Sequence, residues 1–115
     1  MTRAPLLFLV DILECCELLT SYTKNVKEST FTKDNQLQDA VFRRIEIIGE
    51  ASKNVTPKIQ KKYSTIPWSK MIGMRNILIH RYHGIDLSEA WSVIKSDVPK
   101  LKKQIQKILE DEGLI

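Results

Sequence analysis

At 115 residues the chain makes one domain with room for a single core. A hydrophobic fraction of 43% and a charged fraction of 28% exclude a disordered or fibrous chain. The formal charge of +4 permits a polyanionic partner without requiring one.

The apolar run from Pro5 to Leu13 is broken by Asp11 and followed by Glu14. It is too short to cross a bilayer and has no clear small-residue cleavage site. A cytoplasmic protein with no membrane partner is therefore expected. A first helix is predicted over about Pro5 to Lys24, with Leu6, Leu9, Leu13, Cys16 and Leu19 or Thr20 at three- and four-residue steps. Cys15 and Cys16 are adjacent, a spacing that suits neither a bridge nor a metal, so both are expected as reduced thiols.

Ser29 to Lys33 reads as a polar connection. Asp34 suits the N-cap of a second helix running to about Asn54. Leu37, Ala40, Val41, Ile45, Ile48 and Ala51 or Ser52 trace its stripe. Gly49 inside that helix costs roughly 1 kcal/mol against Ala, which implies close approach of another helix. Thr56-Pro57 opens a short helix through Lys62. Ile66-Pro67-Trp68 is a break, and Trp68 or Ser69 starts a helix that ends near Tyr82, stopped by His83-Gly84.

Asp86-Leu87-Ser88-Glu89 is similar to a capping box, with Asp in the Ser/Thr position. Leu87, Trp91, Ile94, Val98, Leu101, Ile105 and Ile108 then alternate steps of four and three. Pro99 predicts a kink or interruption in this last helix. The unbroken stripe predicts that both halves pack on the same neighbour. With short loops making sequential helices antiparallel, the expected fold is all-α. It is an antiparallel bundle of four main helices plus a short connecting one, forming one domain over residues 1–115.

The segment Met74-Arg75-Asn76-Ile77-Leu78-Ile79-His80-Arg81-Tyr82 sets chemically capable side chains into apolar surroundings, where unpaired polar groups are expensive. On a helix Arg75 and Tyr82 lie within roughly 20° of each other, and His80 is about 40° from Asn76 but about 140° from Arg75. Arg75 and His80 therefore share no face. Either Arg75 curls around, the helix distorts near its end, or two chains each contribute part of one site. Met71, Ile72, Met74, Ile77, Leu78 and Ile79 lie nearly all round this helix, which favours a homodimer interface along it. The plainer reading makes Arg75 and Asn76 structural polar residues and His80 a satisfied core histidine.

Arg-x-x-x-x-His, with Asn after the Arg and Tyr two past the His, resembles the signature of the HEPN superfamily of small α-helical ribonucleases and nucleotide-binding domains. Leu9-x-Asp11-Ile12-Leu13, Gln38-Asp39-Ala40-Val41, Ile48-Gly49-Glu50-Ala51, Ile66-Pro67-Trp68 and Met71-x-Gly73-Met74-Arg75-Asn76 resemble successive blocks of its HepT-like branch, in order. So do Leu78-Ile79-His80-x-Tyr82, Ile85-Asp86 and Trp91.

The resemblance implies a HEPN-like fold and a dimeric, metal-independent endoribonuclease toxin of a toxin–antitoxin system, with RNA as substrate and two motif copies facing across a cleft. His80 is suited to general acid or base work, an imidazole titrating at about 6.5. Arg75 presents a fork of donors for phosphate oxygens. Asn76 is placed to orient His80 or to bind the RNA backbone. No metal or other cofactor is needed. The resemblance also implies a cognate MntA-type nucleotidyltransferase antitoxin that transfers AMP to Tyr82. Tyr82 has two further readings, as an RNA contact and as helix-end packing. A non-catalytic HEPN module that binds nucleotides or a nucleotidyltransferase is the rival function.

Glu46 and Glu50 read as helix ion-pair partners of Arg43, Arg44 and Lys53, with Glu50 also a candidate partner of Arg75. Lys58, Lys61, Lys62, Lys70 and Arg81 are placed to border an RNA groove, and Lys95, Lys100, Lys102, Lys103 and Lys107 to form a solvated face. Trp68 and Trp91 read as core.

Overall fold

The computed structural model describes residues 4–79 and 86–115. Among them all regular structure is helical: α1 Pro5–Thr23, α2 Glu28–Phe31, α3 Asn35–Asn54, α4 Pro57–Lys62, α5 Trp68–Ile79, α6 Leu87–Ser92, a π-turn Val93–Asp97, and α7 Val98–Asp111. No described helix is long and apolar enough to cross a membrane.

Short polar side chains start α3, α4 and α6 as their sequence predicts. Asp34 Oδ1 accepts the Leu37 N–H at 3.0 Å, Thr56 Oγ1 that of Ile59 at 3.4 Å, and Asp86 Oδ1 that of Glu89 at 3.1 Å. Each satisfies one donor that a first turn leaves without a partner.

The core joins Leu9, Ile12 and Leu19 of α1 to Val41, Ile45 and Ile48 of α3 and to Val98, Ile105 and Leu109 of α7, all fully buried. Each such side chain contributes about 1.5–3 kcal/mol by leaving water. On α1 the buried line runs Leu9, Ile12, Cys15, Cys16, Leu19 and Thr23, whereas Leu6 and Leu13 of the expected stripe are half-buried. This helix is apolar almost all round, so periodicity alone does not set its inward face. Burial pushes the Cys16 thiol up to about 12. It raises Cys15 as well, with Arg44 opposing. Both cysteines are unbridged.

Two expectations are corrected. The polar connection holds the short helix α2, because Phe31 is fully buried, with its ring 6.5 Å from Phe42 and 5.2 Å from Trp91. One aromatic anchor outweighs its polar neighbours. The last helix is interrupted, as Pro99 predicts, but its two halves do not share one neighbour. The turn widens over Val93–Asp97, where the Val98 N–H reaches the Val93 carbonyl. Pro99 has no N–H and its ring crowds the carbonyl four residues back, which the π-turn relieves. The two halves then meet different principal neighbours: α7 lies on α1, and α6 meets α2 through Trp91 and Phe31.

Lys95 lies on this π-turn and does more than face solvent. Its Nζ donates to the Thr23 carbonyl at 2.9 Å, at the negative end of α1, and stands 4.9 Å from the Trp91 ring.

The end of α7 is fastened to α4. Glu112 accepts from Tyr63 Oη at 2.7 Å and pairs with Lys62 Nζ at 2.9 Å. The Tyr63 hydrogen bond first, and Lys62 second, hold the Glu112 carboxyl below its ordinary value. The hydrogen bond to Glu112 in turn raises Tyr63 and Lys62. A lowered carboxyl pKa gives stability that is present above the unfolded value and lost as pH falls through the folded one. Tyr63 and Lys62 lose their contribution as pH rises through theirs. Thermal melts over a pH series should therefore show a smaller loss of stability in acid for Glu112→Gln than for wild type.

Candidate functional site

The motif helix is anchored at its start. Trp68 Nε1 donates to the carbonyls of Gln60 and Tyr63, both at 3.1 Å, with the Trp68 side chain buried. Met71 and Met74 are buried below it, and Ile72 and Leu78 are half-buried. Trp68 is thus core, as expected, while Trp91 is half-buried against Phe31.

Gly49 brings α3 against α5. A Cβ there would stand 3.3 Å from both Arg75 Cβ and Arg75 N, and 3.5 Å from the Ile72 carbonyl oxygen. The glycine expected to admit another helix faces the backbone of the motif itself. The next residue on α3, Glu50, meets Arg75: Oε1 to Nη1 is 3.0 Å, and both side chains are about half exposed, 46% and 52%. Glu50 is thereby the cross-helix partner of Arg75. Glu46 pairs within its own helix with Arg43 at 3.2 Å.

Asn76 is exposed beside Arg75. His80, Tyr82, Arg81 and the His83-Gly84 stop lie outside the described residues. Of the expected site, Arg75 and Asn76 are therefore placed, with Glu50 added by the packing. Glu50 was legible only through its block beside Gly49. No group of three His, Cys, Asp or Glu side chains that could hold a metal ion occurs among the described residues.

The basic residues divide differently from their sequence grouping. Lys62 is committed to Glu112 and Lys70 to Asp97 at 3.0 Å. Lys58 and Lys61 remain exposed on α4.

A half-exposed ion pair is worth about 0.2–1 kcal/mol, because water and salt screen it. Glu50→Gln should therefore lower unfolding free energy in urea by less than about 1 kcal/mol, and the difference should shrink at high salt. The pair's consequence is geometric: it holds the Arg75 guanidinium at the α3–α5 contact while leaving it open to solvent.

A model of the family described as "Ribonuclease HepT-like" matches residues 12–108. The chain is 50% identical over 105 residues to a Methanocaldococcus jannaschii protein named as a γ-glutamylcyclotransferase and, provisionally, an RNase. That match covers 91% of this chain and 47% of the relative, so the chain spans about half of that protein's length. A second protein of the same organism, named provisionally as an RNase, is 42% identical over 99 residues, covering 86% of this chain and 91% of its own. A Thermococcus cleftensis protein named provisionally as ribonuclease HepT is 40% identical over 108 residues, covering 94% and 98%. No solved structure matches.

Proposed function

The chain belongs to the HepT-like ribonuclease family, and on that premise we propose that it is a metal-independent endoribonuclease, the toxin of a toxin–antitoxin pair. It acts as a homodimer. The observation that supports this best is Arg75, half exposed and held at 3.0 Å by Glu50 beside the exposed Asn76.

RNA carries its own nucleophile. The 2′-OH attacks the adjacent phosphorus, the new O–P bond forms, the bond to the 5′ oxygen breaks, and the leaving oxygen takes up a proton. His80 moves protons in this scheme, which is worth about 10²–10⁴-fold. Arg75 binds non-bridging oxygens as charge builds on them. Asn76 orients His80 or contacts the RNA backbone, and Tyr82 borders the site.

An ideal helix continued from Arg75 as far as His80 would set the two about 140° apart, and the Glu50 contact draws Arg75 toward α3. This favours a cleft in which two copies face each other. A phosphate must compete with Glu50 for the guanidinium. Transfer of AMP to the Tyr82 hydroxyl by a cognate MntA-type nucleotidyltransferase, from ATP and with pyrophosphate as the leaving group, adds a phosphate and a base at the site. The modification neutralises the toxin by charge and bulk.

The test is RNA cleavage in EDTA by purified wild type beside His80→Ala, with intact mass recorded for the wild type. Cleavage lost only in the variant is the expected result. Equal cleavage by both proteins would end this reading. An inactive, unmodified wild type would instead indicate a non-catalytic module that binds nucleotides or a nucleotidyltransferase. Inactivity with added AMP mass would mark a neutralised toxin.

A further inference from the structure

The bundle is well packed on three sides. α1 lies on α3 and α7, and α3 lies on α5, whereas among the described residues α5 and α7 touch only sparsely. Two adjoining cavities of about 230 Å³ each occupy that fourth side, and they share Thr65 and Gln104 as lining. Met71, Met74 and Leu101 floor the first, and Ile66 and Ile108 the second. Methionine floors of this kind adapt readily to inserted apolar side chains.

The α7 rim carries Lys100, Gln104 and Lys107. Their spacing of four and three places them along one helix edge, with the two lysines about 10.5 Å apart along the axis. Lys70 on the opposite rim is taken by Asp97 at 3.0 Å. Lys100 and Lys107 have no ion pair among the described residues. The groove is therefore apolar below and positively charged along one edge. Asp97 and Asp111 also line it, and their negative charge disfavours a run of phosphates.

The outward face of α1 has the complementary pattern. Leu7 and Val10 are 41% and 36% exposed, although most other large apolar side chains of the described helices are covered. Glu14 and Glu17 continue the same line at helical spacing, both exposed and without an ion pair among the described residues. This face points away from the α3 and α7 contacts of α1, so it cannot fill the groove of its own chain.

We propose that this α1 stripe seats in the α5–α7 groove of a second copy. Leu7 and Val10 cover the Met71, Met74 and Leu101 floor, and Glu14 and Glu17 meet Lys100 and Lys107. The contact is head-to-tail, because the stripe and the groove lie on different sides of the bundle and one pair of copies cannot satisfy both at once. It therefore propagates into a ring or an open chain, unlike a two-fold dimer along the motif helix. It stands independently of the ribonuclease reading.

Sedimentation of wild type, Lys100→Glu/Lys107→Glu, Glu14→Lys/Glu17→Lys and an equal mixture of the two variants tests it. Wild type should form concentration-dependent species beyond a dimer. Each charge reversal should weaken that association about tenfold or more, while far-UV dichroism stays unchanged. The mixture should regain it, since every stripe then faces a groove of opposite charge. If either charge variant fails to fold, Leu7→Ser/Val10→Ser, on the exposed face alone, should lose the same species. The proposal is overturned if wild type shows nothing beyond a dimer, if the variants associate as wild type does, or if the mixture stays dissociated. It is also overturned if the lysine variant loses RNA binding with assembly unchanged, which would assign the groove to nucleic acid.

Discussion

Arg75→Ala should slow RNA cleavage by about a hundred- to a thousandfold and leave the fold nearly untouched. The two halves of this expectation come from one observation. Arg75 is half exposed and its side chain is paired with Glu50 alone among the described ion pairs, so truncation costs no more than about 1 kcal/mol of stability. Burial of α5 rests on Trp68, Met71 and Met74 instead. Charge building on the phosphate has no comparable substitute, since a guanidinium offers two parallel donors to it. Arg75→Lys keeps the charge without the fork and should recover only part of the rate. Single-turnover cleavage, with urea unfolding of the same preparations, separates the effects. A variant that cleaves at the wild-type rate would remove Arg75 from the chemistry.

Gly49→Val should cost about 1–3 kcal/mol through overpacking and reduce cleavage at the same time. The atoms that a new side chain meets, Arg75 Cβ, Arg75 N and the Ile72 carbonyl oxygen at 3.3–3.5 Å, are backbone or side-chain stem. They cannot swing aside as a flexible tip does. Relief requires α3 and α5 to separate, which shifts Arg75 relative to Glu50. Gly49→Ala should come out near neutral, because about 1 kcal/mol of helix propensity offsets the tight contact. Gly73→Ala is the matched control. Among the described residues its Cβ would meet only Asn76 Nδ2 at 4.0 Å, so the same propensity gain of about 1 kcal/mol should appear undiminished in the denaturant midpoint. A Gly49→Val protein as stable as wild type would refute the close packing.

Much of the fold is legible in the chain because it is governed by neighbours in sequence. The stripe Val41, Ile45 and Ile48 is buried where its spacing puts it, and Asp34, Thr56 and Asp86 accept the donors three residues on. Caps and periodicity act over one or two turns, so the sequence displays them directly. Phe31 was opaque to that reading. A single aromatic among polar residues has no period, and its burial depends on Phe42 and Trp91 arriving from other helices. Pro99 marks an interruption in the sequence but not its form, since a kink and a π-turn relieve the same clash and packing chooses between them.

The candidate site divides in the same way. Arg75, Asn76, His80 and Tyr82 stand out by residue type and spacing in one short segment of sequence, and the family blocks around them are a property of the chain alone. Which carboxylate holds Arg75 is a property of the fold. Glu50 has basic residues nearer in sequence in Arg43, Arg44 and Lys53, yet it turns to α5. Gly49 lets the two helix backbones approach closely enough for that pair to form. Lys70, Lys100 and Lys107 likewise come to one groove only after α5 and α7 are set side by side with a gap between them. Local hydrogen bonding and apolar periodicity determined the helices. The pairing of charges between helices was decided by tertiary packing, because weak, screened ion pairs follow the backbone approach that the buried core dictates.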